Sequence, residues 1–175
     1  MNQLIHSFRI HLETHQDRLR LFSELEFQSE GWFKTEFLLF LSGARSRGDI
    51  TNFSREVKHN GKQIDFEITQ NGITHLVEAK HWLIGEQRGA VWTARNYFQD
   101  ETNIVTDVRK LLEIPNCDRW ILIFATRNPG HNDWQDGVQA FHNKYARLSV
   151  VTETDPNQFP EYYFCGLLHV LPNQR

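Results

Sequence analysis

Only two cysteines, one methionine and five prolines occur in the 175 residues, and each shortage closes a possibility. Cys117 and Cys165 are too few for a disulfide framework and stand in neither a CxxC nor a Cys/His zinc spacing, so the expected setting is a reducing cytoplasm. No Pro/Gly/Ser-rich linker, low-complexity tract or internal repeat interrupts the chain, so residues 1–175 are expected to form one domain. Long apolar runs are missing as well. The longest, 120–125, falls far short of the ~20 residues of a membrane span, and the mean hydropathy is −0.55. A basic segment followed by an apolar stretch of about 7–15 residues, the mark of a secretory leader, is not seen at the N-terminus. A soluble protein without a membrane partner is therefore expected. Charge of one sign is also lacking, with 19 Lys and Arg against 22 Asp and Glu. Any binding to nucleic acid must then come from a local patch and not from an overall polycation.

Aromatic residues are abundant, with 13 Phe, 5 Trp and 4 Tyr making 13% of the chain. They supply large buried areas and predict an aromatic-rich core. Leu4, Ile5, Phe8, Leu12, Leu19, Phe22 and Leu25 recur at helical spacing, predicting one amphipathic helix up to about Phe27. A second, nearly all-apolar helix starts near Ser29, carries Glu36, and has a natural stop at Ser42-Gly43. From Phe53 to Trp82 the period changes to two. Asn60-Gly61 and Asn71-Gly72 signal tight hairpins between strands at about 53–59, 62–69 and 74–82. A helix through Ile104, Val105, Val108, Leu111 and Leu112 ends before Pro115. After it come a buried strand at 120–125, a helix at 134–145, and strands at 148–152 and 162–171. The order α-α-β-β-β-α-β-α-β-β implies an α/β (α+β) fold with a mixed central sheet flanked by helices.

Two-residue turns fix cross-strand register. The Asn71-Gly72 turn sets Phe66 against Val77, Ile64 against Ala79, Asp65 against Glu78 and Gln63 against Lys80. The Asn60-Gly61 turn sets Val57 against Ile64 and Glu56 against Asp65. One sheet face then carries the row Glu56–Asp65–Glu78 beside Lys58–Gln63–Lys80. Like charges directly opposed across strands destabilise a sheet, so the row calls for compensation, either by a bound divalent cation or by water on a solvated outer face. Glu36, an acid in a helix with almost no polar face, similarly needs a metal or an ion-pair partner.

Ile64-Asp65, twelve further residues, then Glu78-Ala79-Lys80 resemble the signature of the PD-(D/E)XK nuclease superfamily. The resemblance spans about 30–126 and implies a restriction-endonuclease-like αβββαβ core, here with an extra N-terminal helix and C-terminal strands. Ile64 stands in place of the family's proline, and no QxxxY element of the repair-exonuclease subgroup stands directly after the third strand. The resemblance implies a nuclease, an endonuclease before an exonuclease, that hydrolyses phosphodiester bonds of DNA in preference to RNA. Mg²⁺, with Mn²⁺ as a substitute, would be held by Asp65, Glu78 and the Ala79 carbonyl. Lys80 would orient water or offset developing charge, and Glu36 would bind metal-bound water or steer Lys80. A nuclease-like domain that binds nucleic acid or protein without cutting, and a pure interaction protein, are the alternatives. The side-chain direction of Glu36 discriminates, since an orientation away from Asp65 and Glu78 favours the interaction reading. A homodimer is left open.

Other residues are weighed against plainer roles. Arg45 and Arg47, expected in a Gly43–Gly48 loop, and Arg127, at the end of the fourth strand, are candidate phosphate contacts or solvated loop charges. Trp82, Arg88, Trp92 and Arg95 interleave aromatic and basic groups as nucleic-acid grooves do, though core packing explains the tryptophans. His81 should pack on the face opposite Lys80. Asp107 and Lys110, at i and i+3, read as a surface pair. His11 and His15, at i and i+4, have no third ligand nearby in sequence and read as a solvated helix face.

Overall fold

The computed structural model describes residues 1–26, 29–87 and 89–172. Its strands are β1 (Asn52–His59), β2 (Lys62–Gln70), β3 (Ile73–Trp82), β4 (Gly85–Gln87), β5 (Ala90–Trp92), β6 (Asp118–Ala125), β7 (Ser149–Thr152) and β8 (Phe164–Leu171). Six of them form one mixed sheet in the order β1-β2-β3-β6-β8-β7, and β4 and β5 form a separate hairpin. The helices are α1 (Asn2–Glu13), α2 (Gln16–Glu24), α3 (Glu30–Arg47), α4 (Ala94–Gln99), α5 (Ile104–Leu112) and α6 (His131–Lys144). β3 and β6 are parallel neighbours, which requires a crossover rather than a hairpin between them. The segment carrying α4 and α5 supplies it.

The two hairpin turns form as their sequences dictate. Asn60 and Gly61 have φ 50 and 78, and Asn71 and Gly72 have φ 52 and 77, the double positive φ that suits asparagine and glycine. The predicted registers hold at Val57↔Ile64 and Lys58↔Gln63 and at Phe66↔Val77. The alternation therefore divides the sheet as expected. Phe66 packs on Phe37 of α3 with ring centroids 5.1 Å apart, and Phe124 stacks on Phe33 at 4.8 Å. Trp82 points to the other layer, against Phe98 of α4 and Trp134 of α6. One aromatic-rich cluster of buried residues runs through both layers.

Several expectations need correction. The first helix breaks after Glu13. Thr14 Oγ1 donates to the His11 carbonyl at 2.7 Å, and the N–H groups of Thr14 and His15 bond back only three residues. Such local side-chain bonds compete with the helical ladder, so the apolar period continues across a kink; Phe27, its expected end, lies outside the described residues. The next helix runs past Ser42-Gly43 to Arg47 and stops at Gly48, which takes φ 82. Its left-handed geometry caps the helix, whereas Gly43 sits in the helix interior. Arg45 and Arg47 thus lie on the last helical turn, not in a loop. The β4–β5 hairpin and α4, which opens on a Thr93–Asn96 capping box, were not anticipated. Among the described residues, no helix is long and apolar enough to cross a membrane.

Candidate active site

The β2–β3 ladder stops short of the acidic pair. Its last recorded partners are Phe66 and Val77, and beyond them the Ala79 N–H donates to the Asp65 side chain, Oδ2, at 2.9 Å. A carboxylate has thereby replaced a strand carbonyl as acceptor, and Asp65 is anchored beside β3. Its other oxygen, Oδ1, accepts from Lys34 Nζ at 3.0 Å, and the same ammonium meets Glu30 at 2.9 Å. β3 itself stays paired with β6 through Trp82, so Glu78 and Lys80 are held by the sheet's central strand.

α5 completes the cluster from the other layer. Lys110 Nζ lies 2.6 Å from Glu78 Oε1 and 3.6 Å from Asp107 Oδ1, and donates to the Gln63 carbonyl at 3.2 Å. Lys80 Nζ lies 2.8 Å from Asp107 Oδ2. The Glu78 and Asp107 side chains are only 4% and 5% exposed, so two carboxylates are buried beside Lys110 and Lys80. Glu78 Oε1 and Asp107 Oδ2 nonetheless lack a well-aligned hydrogen-bond donor. Their lysines supply the compensating charge at 2.6 and 2.8 Å, and removing either partner would leave a buried charge uncompensated.

The structure therefore brings together Asp65, Glu78, Ala79 and Lys80 and adds Lys34, Asp107 and Lys110. Asp107 and Lys110 are not a mere surface pair. Ile104, Val108 and Leu111 are buried on α5 together with Asp107. An acid within the apolar stripe of a strongly amphipathic helix was the available signal. Lys34 gave no comparable signal, because α3 is apolar on most sides.

Glu36 is not part of this cluster. Two residues beyond Lys34 on α3, it lies about 200° around the helix axis. Its carboxylate instead meets His11 Nε2 at 3.2 Å, His15 Nε2 at 3.5 Å and Arg18 Nη1 at 3.6 Å. Glu30, on the Lys34 side, is the α3 acid joined to the cluster. Glu56 also leaves the predicted row: it takes φ 51, is exposed, and pairs with Arg55 at 3.8 Å. Of the proposed phosphate contacts, Arg47 pairs with Asp49 at 2.9 Å, Arg45 lies over the Phe53 ring, and Arg127 meets Glu26 at 3.3 Å. Each has a partner of its own. His81 packs away from Lys80, stacked on Phe124 with Ser29 Oγ at 3.2 Å, and burial pushes its pKa down to about 4. Trp82 is core, stacked on Tyr97 at 4.9 Å, while Trp92 is 36% exposed; Arg88 lies outside the described residues.

Burial pushes the Glu78 carboxyl up to about 7. Lys110 pulls it down, and the Asp65 and Asp107 charges add to the rise. A raised acid pKa means that the folded chain binds this proton more tightly than the unfolded one does. The associated stability is complete below about 4.5 and is lost as the pH rises through about 7. Glu78→Gln, neutral at every pH, is therefore expected to be more stable than the parent at pH 8, by on the order of 2–3 kcal/mol. Lys110 keeps Asp107 and the Gln63 carbonyl as partners in that variant. The gap should close towards pH 5, as thermal melts across this range will reveal, and a gap that widens on acidification would place an ionised Glu78 at the centre of the folded state's stability.

Carboxylate and carbonyl oxygens are the donors a hard divalent cation takes, and Asp65, Glu78 and the Ala79 carbonyl offer them here, although among the described residues these acids do not gather as closely as His11, His15 and Glu36 do. No protein-family profile matches the chain, and a search of curated proteins finds no significant match.

Proposed function

We propose that the chain is a divalent-cation-dependent nuclease that hydrolyses phosphodiester bonds of nucleic acid, DNA in preference to RNA, from a restriction-endonuclease-like core. The observation that carries this reading is the buried Glu78 carboxylate on β3, with Asp65 anchored to the next residue through the Ala79 N–H at 2.9 Å and Lys80 two residues along the same strand. The run α3, β1–β3, α5 and β6 supports it as well, being a helix, three antiparallel strands, a crossover helix and a parallel strand.

Asp65, Glu78 and the Ala79 carbonyl would hold Mg²⁺, which when bound polarises a phosphate oxygen and lowers the pKa of a coordinated water. The chain's own residues do the rest. Lys34 and Lys110 occupy the carboxylates in the free protein and must give way as substrate and cation enter. Lys80, held by Asp107, presents a fixed positive charge to the phosphoryl oxygens, where negative charge grows as water oxygen bonds to phosphorus and the P–O ester bond breaks. Glu78 must be ionised to take part, so a cation competes there with the proton that burial favours, and metal binding should strengthen as the pH rises.

A specific observation favours one second reading, a nuclease-like domain that binds without cutting: lysines already pair with Asp65 and Glu78, while the turn of Glu36 away from the cluster favours the pure interaction protein instead. Incubating the chain with labelled single- and double-stranded DNA and RNA, in Mg²⁺, Mn²⁺ or EDTA, separates the two. Metal-dependent cleavage that EDTA abolishes is expected; retention of nucleic acid without cleavage in either metal would establish the second reading.

A further inference from the structure

His11 and His15, four residues apart, meet the distant Glu36 at the junction of α1, α2 and α3. His11 is in the last turn of α1, and His15 is the N-cap residue of α2. The kink between these helices turns both imidazoles towards α3. Their Nε2 atoms stand 3.2 and 3.5 Å from the same oxygen, Glu36 Oε2, and the three potential ligand atoms all lie within 4.8 Å of one another. The rings meet edge to face at 5.3 Å.

These spacings match a particular ion. A tetrahedral zinc with bonds of about 2.0–2.1 Å places its ligand atoms about 3.3–3.4 Å apart. Both nitrogen–oxygen edges of the cluster already fall near that value, and the nitrogen–nitrogen edge is no longer than 4.8 Å. Two imidazoles and one carboxylate form a borderline donor set that suits Zn²⁺ and related transition ions, whereas Mg²⁺ and Ca²⁺ prefer oxygen alone. The surroundings are also those of a built site. Glu36 is 7% exposed, with Phe8 and Phe40 close to His11. Arg18 holds the other oxygen, Oε1, at 3.6 Å, which leaves Oε2 as a single, oriented ligand atom, the kind of support that ligating carboxylates receive. The histidine side chains are about one-third exposed, 32% and 30%, so a fourth position faces solvent.

We infer that His11, His15 and Glu36 form a binding site for a divalent transition metal, Zn²⁺ by preference, that ties the α1–α2 kink to α3. The site is separate from the Asp65–Glu78 cluster, because Lys34, which contacts that cluster, and Glu36 lie on nearly opposite sides of α3. It does not depend on the chain being a nuclease. The two histidines with no third ligand in the sequence acquire one through the fold.

The test uses the full chain stripped of metal with EDTA and titrated with Zn²⁺ by calorimetry and with Co²⁺ by visible absorption. A single equivalent of Co²⁺ should give the d–d bands of a low-coordinate site, and Zn²⁺ should bleach them. His15→Gln should weaken binding by at least about 10-fold, while Asp65→Asn leaves it unchanged. Glu36→Gln should do the same as His15→Gln, and His15 is exposed enough that its variant folds even if removing the Glu36 charge disturbs α3. Absence of d–d bands, or equal affinity in His15→Gln and the parent, would overturn the site and leave only hydrogen-bonded ion pairs. Loss of binding in Asp65→Asn alone would move the metal to the other cluster, and would overturn it equally.

Discussion

Asp65→Asn is expected to lower cleavage by about 10³-fold and to remove most of the thermal stabilisation that Mg²⁺ confers on the parent chain. The size of the first effect is typical of losing a preorganised charge at a reacting phosphate or acyl group. The second follows from linkage, since an ion that binds only the folded state raises its stability in proportion to the logarithm of its concentration over its dissociation constant. Asp65 offers one oxygen to the Ala79 N–H and the other to Lys34. Asparagine can keep the first contact through its carbonyl oxygen, but it then turns an amide donor towards the Lys34 ammonium. Lys34 retains Glu30 at 2.9 Å, so the metal-free variant should fold with a melting temperature close to the parent's. Melting curves with and without Mg²⁺, beside a cleavage time course, check both halves. A parent chain whose melting temperature ignores Mg²⁺ favours the interaction-protein reading. A variant that cuts at the parental rate removes Asp65 from the chemistry.

The parts of this fold that were legible in the sequence are the parts governed by near neighbours. Two Asn-Gly turns set the register of three strands, because positive φ at both positions admits few residues and the side-chain period of two carries the register along each strand. Asp65 and Glu78 were placed beside one another on that basis alone. The direction of Glu36 was not legible, since α3 is apolar on nearly every side and gives no stripe from which to read a facing. Lys34 and Glu30 were hidden for the same reason. Lys110 reaches Glu78 and Gln63 only because the β3–β6 crossover lays α5 over the sheet, and no local spacing encodes that approach. Asp107 was different, because it shares the buried side of α5 with Ile104, Val108 and Leu111. Its place among them argued for a buried partner that the i, i+3 pairing alone did not reveal. Similarly, the kink at Thr14 left no trace in an apolar period that runs on through Leu19 and Phe22.

Lys80→Ala is expected to reduce cleavage by ~10²-fold or more while leaving metal-dependent stabilisation in place. Unlike Asp65, Lys80 has a buried partner that depends on it. Asp107 Oδ2 lies 2.8 Å from its ammonium, and the Asp107 side chain is 5% exposed. Removing one member of a buried pair typically costs ~3–5 kcal/mol, because the remaining charge is left uncompensated. Lys110, 3.6 Å from Asp107 Oδ1, offsets part of that loss, so a cost of on the order of 2 kcal/mol is expected here. The alanine variant should therefore be both slower and less stable, and one measurement alone would confuse the two causes. The double variant Lys80→Ala with Asp107→Asn separates them, since it removes the stranded charge and should recover most of the stability while remaining about 10²-fold slow. Lys80→Arg should hold Asp107 and keep the melting temperature, yet restore little activity, because a planar guanidinium does not place its charge as a compact ammonium does. If Lys80 only neutralises Asp107, the arginine variant and the double variant will both cut at the parental rate, and the catalytic assignment of Lys80 ends there.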